Sequence, residues 1–122
     1  MSEPALVADT SMLIHFMEGN AEAGDLLLGR EIHISVATEI ELRTMGAIKR
    51  NAKDVITRTL GMCSIWDISP SIKDQCVHFR SAYRLKLADA LVAATAASLD
   101  LPLLTSDRDF KKLKGAIDVR LF

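Results

Sequence analysis

Short apolar runs alternate with longer helical stretches along this chain, and that alternation leaves few folds open. Ala5-Leu6-Val7-Ala8 is a short apolar strand, and Asp9-Thr10-Ser11 supplies cap-type residues before the helical run Met12 to Met17. Gly19-Asn20 breaks that helix, Ala21 to Leu28 makes a second short one, and Gly29 closes it. Glu31 to Val36 alternates polar and apolar with β-branched residues, the period of a strand. From Thr38 the period becomes helical, with Ile40, Met45 and Ile48 on one side, and an amphipathic run continues from Ala52 to Leu60. Ser64 to Ile68 reads as a third strand. Ser69-Pro70 then opens a helix reaching Leu85, and Leu87 to Leu99 is an Ala-rich helix suited to close packing. Leu101 to Thr105 is a fourth strand that tolerates Pro102 at its entry, and Asp118 to Phe122 adds a fifth. The expected class is α/β, a three-layer α/β/α sandwich around a mostly parallel central sheet of four to five strands.

With 122 residues, 49% of them hydrophobic and 25% charged, the chain fits one globular domain over residues 1–122. No stretch approaches the ~20 apolar residues of a membrane span. Met1-Ser2-Glu3-Pro4 lacks the basic and apolar segments of a signal peptide, so a cytoplasmic location without membrane association is expected. Cys63 and Cys76 have neither zinc-knuckle nor CxxC spacing and read as reduced, mostly buried thiols.

Four acids carry the chemistry: Asp9, Glu41, Asp89 and Asp107. Three of them fall at the carboxyl ends of predicted strands or in the first turns of the helices that follow, where an α/β sheet places ligand groups. Each has a plainer role when taken singly. Asp9 can cap the first helix, Glu41 stands three residues after Thr38 as in a capping box, Asp89 suits a helix dipole, and Asp107 suits a loop or cap. Two carboxylates ~4 Å apart repel by about 4 kcal/mol at an effective dielectric of ~20, so gathered acids call for a cation. Oxygen ligands without His or Cys favour Mg2+, with Mn2+ as a substitute, over zinc. Such a site suits phosphodiester hydrolysis, in which the metal activates a water and stabilises the leaving oxygen. Setting the four aside from 16 acidic residues leaves 12 against 15 basic ones, a mildly basic remainder of +3 that tolerates phosphate.

Four segments in order resemble the PIN-domain ribonucleases, and among them the VapC-like toxins of type II (VapBC) toxin–antitoxin pairs. They are Val7 to Ser11, Ser35 to Leu42, Leu87 to Ala96 and Leu104 to Phe110, and together they span nearly the whole chain. The resemblance implies a PIN-like fold and a Mg2+-dependent endoribonuclease in which Asp9, Glu41, Asp89 and Asp107 hold the metal and are catalytic. It also implies a homodimer and a VapB-like antitoxin whose helix fills an apolar groove and blocks the acidic site. Thr10, Ser11 and Thr105 match hydroxyl positions lining the family's acidic pocket, where they orient a carboxylate or a water. Asp109 is an additional ligand candidate, and equally a cap. A glycine common in the family before the third motif is missing; Tyr83-Arg84-Leu85-Lys86 stands there instead.

Arg43, Lys49, Arg50 and Arg108, with Lys111, Lys112 and Lys114, are candidate phosphate contacts to RNA, Arg43 and Arg108 foremost, although each equally fits a solvated face. Trp66 and Tyr83 could stack on a base, but a sole Trp in a strand is more often core. His15, His33 and His78 share no ligand spacing. The rival readings are a phosphoryl-receiver domain, a non-catalytic PIN-fold interaction module and a housekeeping PIN nuclease without antitoxin. The receiver needs a second acid beside Asp9 and a phospho-accepting Asp after a central strand, and the sequence supplies neither.

Overall fold

The computed structural model of the chain describes residues 4–122; Met1–Glu3, on which the leader expectation partly rests, lie outside the described residues. Strand β1 (Ala5–Ala8) runs into helices α1 (Thr10–Met17) and α2 (Ala21–Leu27). Then come β2 (Glu31–Ser35), α3 (Val36–Ile48), α4 (Lys53–Gly61), β3 (Cys63–Trp66), α5 (Pro70–Tyr83), α6 (Leu87–Leu99), β4 (Leu103–Thr105) and β5 (Val119–Leu121). Short 3-10 turns at Arg50–Ala52 and Arg108–Leu113 complete the order. All five strands pair in parallel, in the order β3-β2-β1-β4-β5. The winding therefore reverses between β1 and β4, and the crevice beyond their carboxyl ends is the topological switch point.

Alternate side chains of the short strands face opposite layers. Leu6, Ala8, Ile32, Ile34 and Leu104 pack with Met12 and Leu13 of α1, Ala23 and Leu27 of α2 and Ile56 of α4. Val7, Leu103 and Val119 face Ile72, Cys76 and Phe79 of α5 and the alanines of α6. Helix α3 serves both layers, with Ala37 in one and Leu42 in the other. The three-layer expectation is met, and small residues on α6 allow its close approach to α5.

Three local expectations change. Helix α3 begins at Val36, with the Ser35 hydroxyl capping it by accepting from the Ala37 N–H at 3.1 Å, so Thr38 is not its cap. Ser35 and Thr38 are both cap-type residues, and the end of β2 decides between them. The helix after Asp9 begins at Thr10 rather than at Met12, with Asp9 as its cap. Trp66 is 39% exposed rather than core, because β3 is an edge strand. Its indole N–H donates to His33 Nδ1 at 2.8 Å, and His33 Nε2 lies 2.6 Å from Glu31 Oε1.

The turn Tyr83-Arg84-Leu85-Lys86, where the sequence departs from the pattern it resembles, holds a residue in an uncommon backbone conformation. Arg84 closes α5 in the left-handed region at φ 55°, a conformation that glycine adopts without a Cβ penalty. Arg84→Gly should stabilise the fold by about 0.5–1 kcal/mol, the relief of the left-handed Cβ clash less the greater unfolded-chain entropy of glycine. That corresponds to a melting temperature raised by roughly 2–5 °C. A thermal melt of the two proteins checks it.

Candidate active site

Asp9 leaves β1 at the switch point and is buried, although it is an acid. Its Oδ1 accepts from the Met12 N–H at 2.9 Å, which caps α1, and from the Ser11 hydroxyl at 2.8 Å. Its Oδ2 accepts from the Thr105 hydroxyl at the end of β4. Of the roughly four lone-pair positions of a carboxylate, three are thus occupied, and one on Oδ2 is left for a ligand. The same hydroxyls fasten the loop after β4. The Asp107 N–H donates to Thr105 Oγ1 at 2.9 Å, and the Ser106 N–H donates to Ser11 Oγ at 3.4 Å. Both oxygens of Asp9 are therefore linked through a hydroxyl to the backbone that carries Asp107. The sequence singled out Ser11 and Thr105; the part played by the Ser106 and Met12 amides carries no side-chain signal.

Glu41 projects from the second turn of α3 and is exposed; its Oε1 accepts from the Thr10 hydroxyl at 2.6 Å. Because Ser35 caps α3, the capping-box role for Glu41 is gone. Asp89 lies in the first turn of α6, half-buried, with no side-chain hydrogen-bond partner among the described residues. Asp107 caps the Arg108–Leu113 turn through Oδ1, which accepts from the Asp109 N–H at 2.9 Å. Asp109 itself is exposed. Capping and ligation are compatible for Asp9 and Asp107, since each cap leaves carboxylate lone pairs free.

The four acids share one field. Burial pushes the Asp89 carboxyl above its ordinary range, and the charges of Asp107, Glu41 and Asp9 push it further, against a smaller opposing effect of Lys86. Asp9 is raised chiefly by burial, with Asp107 adding to it, and the hydrogen bonds from Thr105, Met12 and Ser11 offset part of the rise. Uncompensated anions held together in this way fit a cation. Among the described residues no group of three or more acids, imidazoles or thiols is drawn together closely enough to hold a metal ion by itself. An oxygen-only donor set of this openness fits an ion such as Mg2+, which keeps several waters and takes one or two carboxylates, and does not fit a caged zinc.

The profile of the PIN domain matches residues 6–116. The chain belongs to the PIN-domain family. Ribonuclease VapC5 of Mycobacterium tuberculosis is 29% identical to this PIN domain over 126 residues, covering 94% of this chain and 92% of that protein. A toxin–antitoxin complex from Klebsiella pneumoniae contains a chain with 32% identity and a TM-score of 0.80, with 94% and 95% of the two chains covered. The DNA-bound VapBC of Salmonella typhimurium has a chain of the same fold, at a TM-score of 0.79 and 21% identity, covering 96% and 97%.

The basic candidates of this PIN domain divide in space. Arg108 directly follows Asp107 and is exposed. Arg43 lines a groove of about 700 Å³ between α3 and α4, with Arg50 and Lys53, and lies 3.6 Å from Glu39. Glu41 opens onto a different groove of about 410 Å³, shared with Ile40, Thr44, Met45, Ile48 and Lys49. Arg43 and Glu41 thus serve opposite flanks of α3. Tyr83 packs against Phe79 and His78 in α5, and His15 meets Phe122 edge-on. Among the described residues no helix is long and apolar enough to cross a membrane.

Proposed function

We propose that this PIN domain, spanning residues 1–122, is a Mg2+-dependent endoribonuclease, with Mn2+ able to substitute, and the toxin of a type II toxin–antitoxin pair in the cytoplasm. The observation that carries the reading is the gathering of Asp9, Glu41, Asp89 and Asp107 into one field at the switch point of a PIN fold. The similarity to a protein named Ribonuclease VapC5 and to a chain of a toxin–antitoxin complex supports it.

When bound, a divalent cation supplies Lewis acidity toward a water and offsets charge on the leaving oxygen. The chain's own residues have separable tasks. Asp9 presents a single free lone pair in a direction fixed by Ser11, Met12 and Thr105. Thr10 aims the otherwise exposed Glu41. Asp89 and the free oxygen of Asp107 complete the anionic wall, with Asp109 an additional ligand at its rim. Arg108, beside that wall, and Arg43, on the far flank of α3, contact RNA phosphates and so position the strand without reading its sequence.

The partner is a VapB-like antitoxin. Ile40 and Ile48 of α3 are 57% and 76% exposed on the groove that holds Glu41, so a helix seated there also covers the acids. Ile40→Asp should weaken antitoxin binding about 10–100-fold, the range of an interface hot spot, and leave the melting temperature of the isolated toxin nearly unchanged. Titration calorimetry checks the first and a melt the second. The same reading includes a homodimer, which sedimentation velocity tests.

The direct test is incubation of the purified protein, freed of antitoxin, with mixed structured RNA in Mg2+, in Mn2+ or in EDTA. Cleavage in either metal and none in EDTA is expected. Failure of folded, cation-binding protein to cut a broad RNA panel would leave a PIN-fold interaction module as the better reading.

A further inference from the structure

Helices α5 and α6 are joined by Arg84-Leu85-Lys86, a turn that leads straight to Asp89. Leu85 is buried and anchors it, while Arg84 and Lys86 are exposed, and neither forms an ion pair among the described residues. Each cation stands where another residue would suit the fold better. Lys86 is the N-cap of α6 and makes no side-chain cap bond, because an ammonium has donors only and cannot accept from the helix amides. Its charge also opposes the positive end of the helix dipole. Arg84 occupies the left-handed region, at φ 55°. Two local costs in one short turn, both borne by cations, mark positions held for something other than stability.

The surroundings of the turn show what that is. The N-cap and N3 side chains of a helix meet on one side, and in α6 these are Lys86 and Asp89. The ammonium is close enough to oppose the rise of the Asp89 carboxyl, although burial and the charges of Asp107, Glu41 and Asp9 outweigh it. We infer that Lys86 binds an RNA phosphate next to the one at the acidic site, with Arg84 taking a phosphate further along the same strand. The inference rests on the proposed nuclease site. An acidic wall repels a polyanion, so cations at its border are what bring the strand within reach of the acids. Arg108, directly after Asp107, stands at the end of the wall that β4 supplies, and Lys86 stands at the end that α6 supplies. A lysine on its flexible stem acts there as a point charge, which holds a phosphate without reading the base.

The test measures binding of a short, labelled single-stranded RNA by fluorescence anisotropy over a range of salt, in the Asp9→Asn background with Mg2+ so that the strand stays whole. Each phosphate contact to a single strand contributes about 0.7 to the slope of log affinity against log salt. Lys86→Ser should therefore lower the slope by that amount and weaken binding about fivefold at ~0.1 M salt. The same substitution should raise the melting temperature by about 2–5 °C, since Ser caps α6 where Lys cannot. Lys86→Arg keeps the charge and should keep the slope, whereas Arg84→Gly should lower it as Lys86→Ser does. The control is Lys73→Ser. Lys73 is exposed two residues after Ser71, whose hydroxyl lies 3.1 Å from that of Ser98 at the far end of α6 from Asp89, and its loss should leave the slope unchanged. An unchanged slope for Lys86→Ser, in a protein that binds RNA, would overturn the inference. A lowered slope together with a wild type that cuts no RNA would uphold the contact and count against the nuclease reading instead.

Discussion

Asp9→Asn and Asp89→Asn should each reduce RNA cleavage by about 10³-fold or more while leaving a folded protein. A cation at a reacting phosphate contributes several kcal/mol to the transition state, and each ~1.4 kcal/mol is a factor of ten in rate. The amide of Asn keeps an oxygen for the Met12 N–H, so the α1 cap survives at position 9. Asp9→Ala would confound the result, because a lost cap costs about 1 kcal/mol of stability by itself. The check is single-turnover cleavage at saturating Mn2+, with circular dichroism and a melt to establish folding. Cleavage within tenfold of wild type by either Asn variant would remove that acid from the site.

The second large effect is on stability, and its sign depends on the cation. Asp9 and Asp89 both have carboxyl groups raised above their ordinary range in the fold, chiefly by burial. For such groups the folded state binds protons more tightly than the unfolded chain does, so their ionisation weakens the metal-free protein at neutral pH. As pH falls through their folded-state range toward the ordinary 3.8, that penalty is relieved. Metal-free Asp89→Asn should therefore melt above wild type at pH 7, and the gap should close on acidification. Adding a divalent cation reverses the order. At a concentration 100 times its dissociation constant a ligand stabilises by about 2.7 kcal/mol, which is roughly 10 °C for a domain of this size. Wild type should gain that increment and Asp89→Asn little of it. Scanning calorimetry with EDTA or with Mn2+, at neutral and at acidic pH, reads both effects.

Those predictions rest on positions that were readable from the sequence, and the reason is physical. Asp9 and Asp107 each follow a short apolar run, and the end of such a run in a parallel sheet faces the ligand crevice. Their places there do not depend on details that a sequence hides. Asp89 opens a helix whose alanines leave little doubt about its extent. What was not legible depends on neighbours in space. Trp66 looked like core because strand type is local, whereas the place of β3 at the sheet edge follows from strand order. Ser35 and Thr38 are both good caps, and only the register of β2 decides that Ser35 takes the role and Thr38 is buried against Thr10. Arg43 and Glu41 are two residues apart in sequence, yet the turn of α3 sends them into different grooves. The left-handed turn at Arg84 is hidden in the sequence, because an arginine gives no local sign of a positive φ.

The central claim is hydrolysis of RNA by a water at a cation held by these acids, and the products formed in ¹⁸O-labelled water test it most directly. Wild-type protein cleaving RNA in Mn2+ should place one ¹⁸O in the new terminal phosphate, form no 2′,3′-cyclic phosphate and stop when EDTA is added. A cyclic phosphate without solvent label, or cleavage that persists in EDTA, would contradict it.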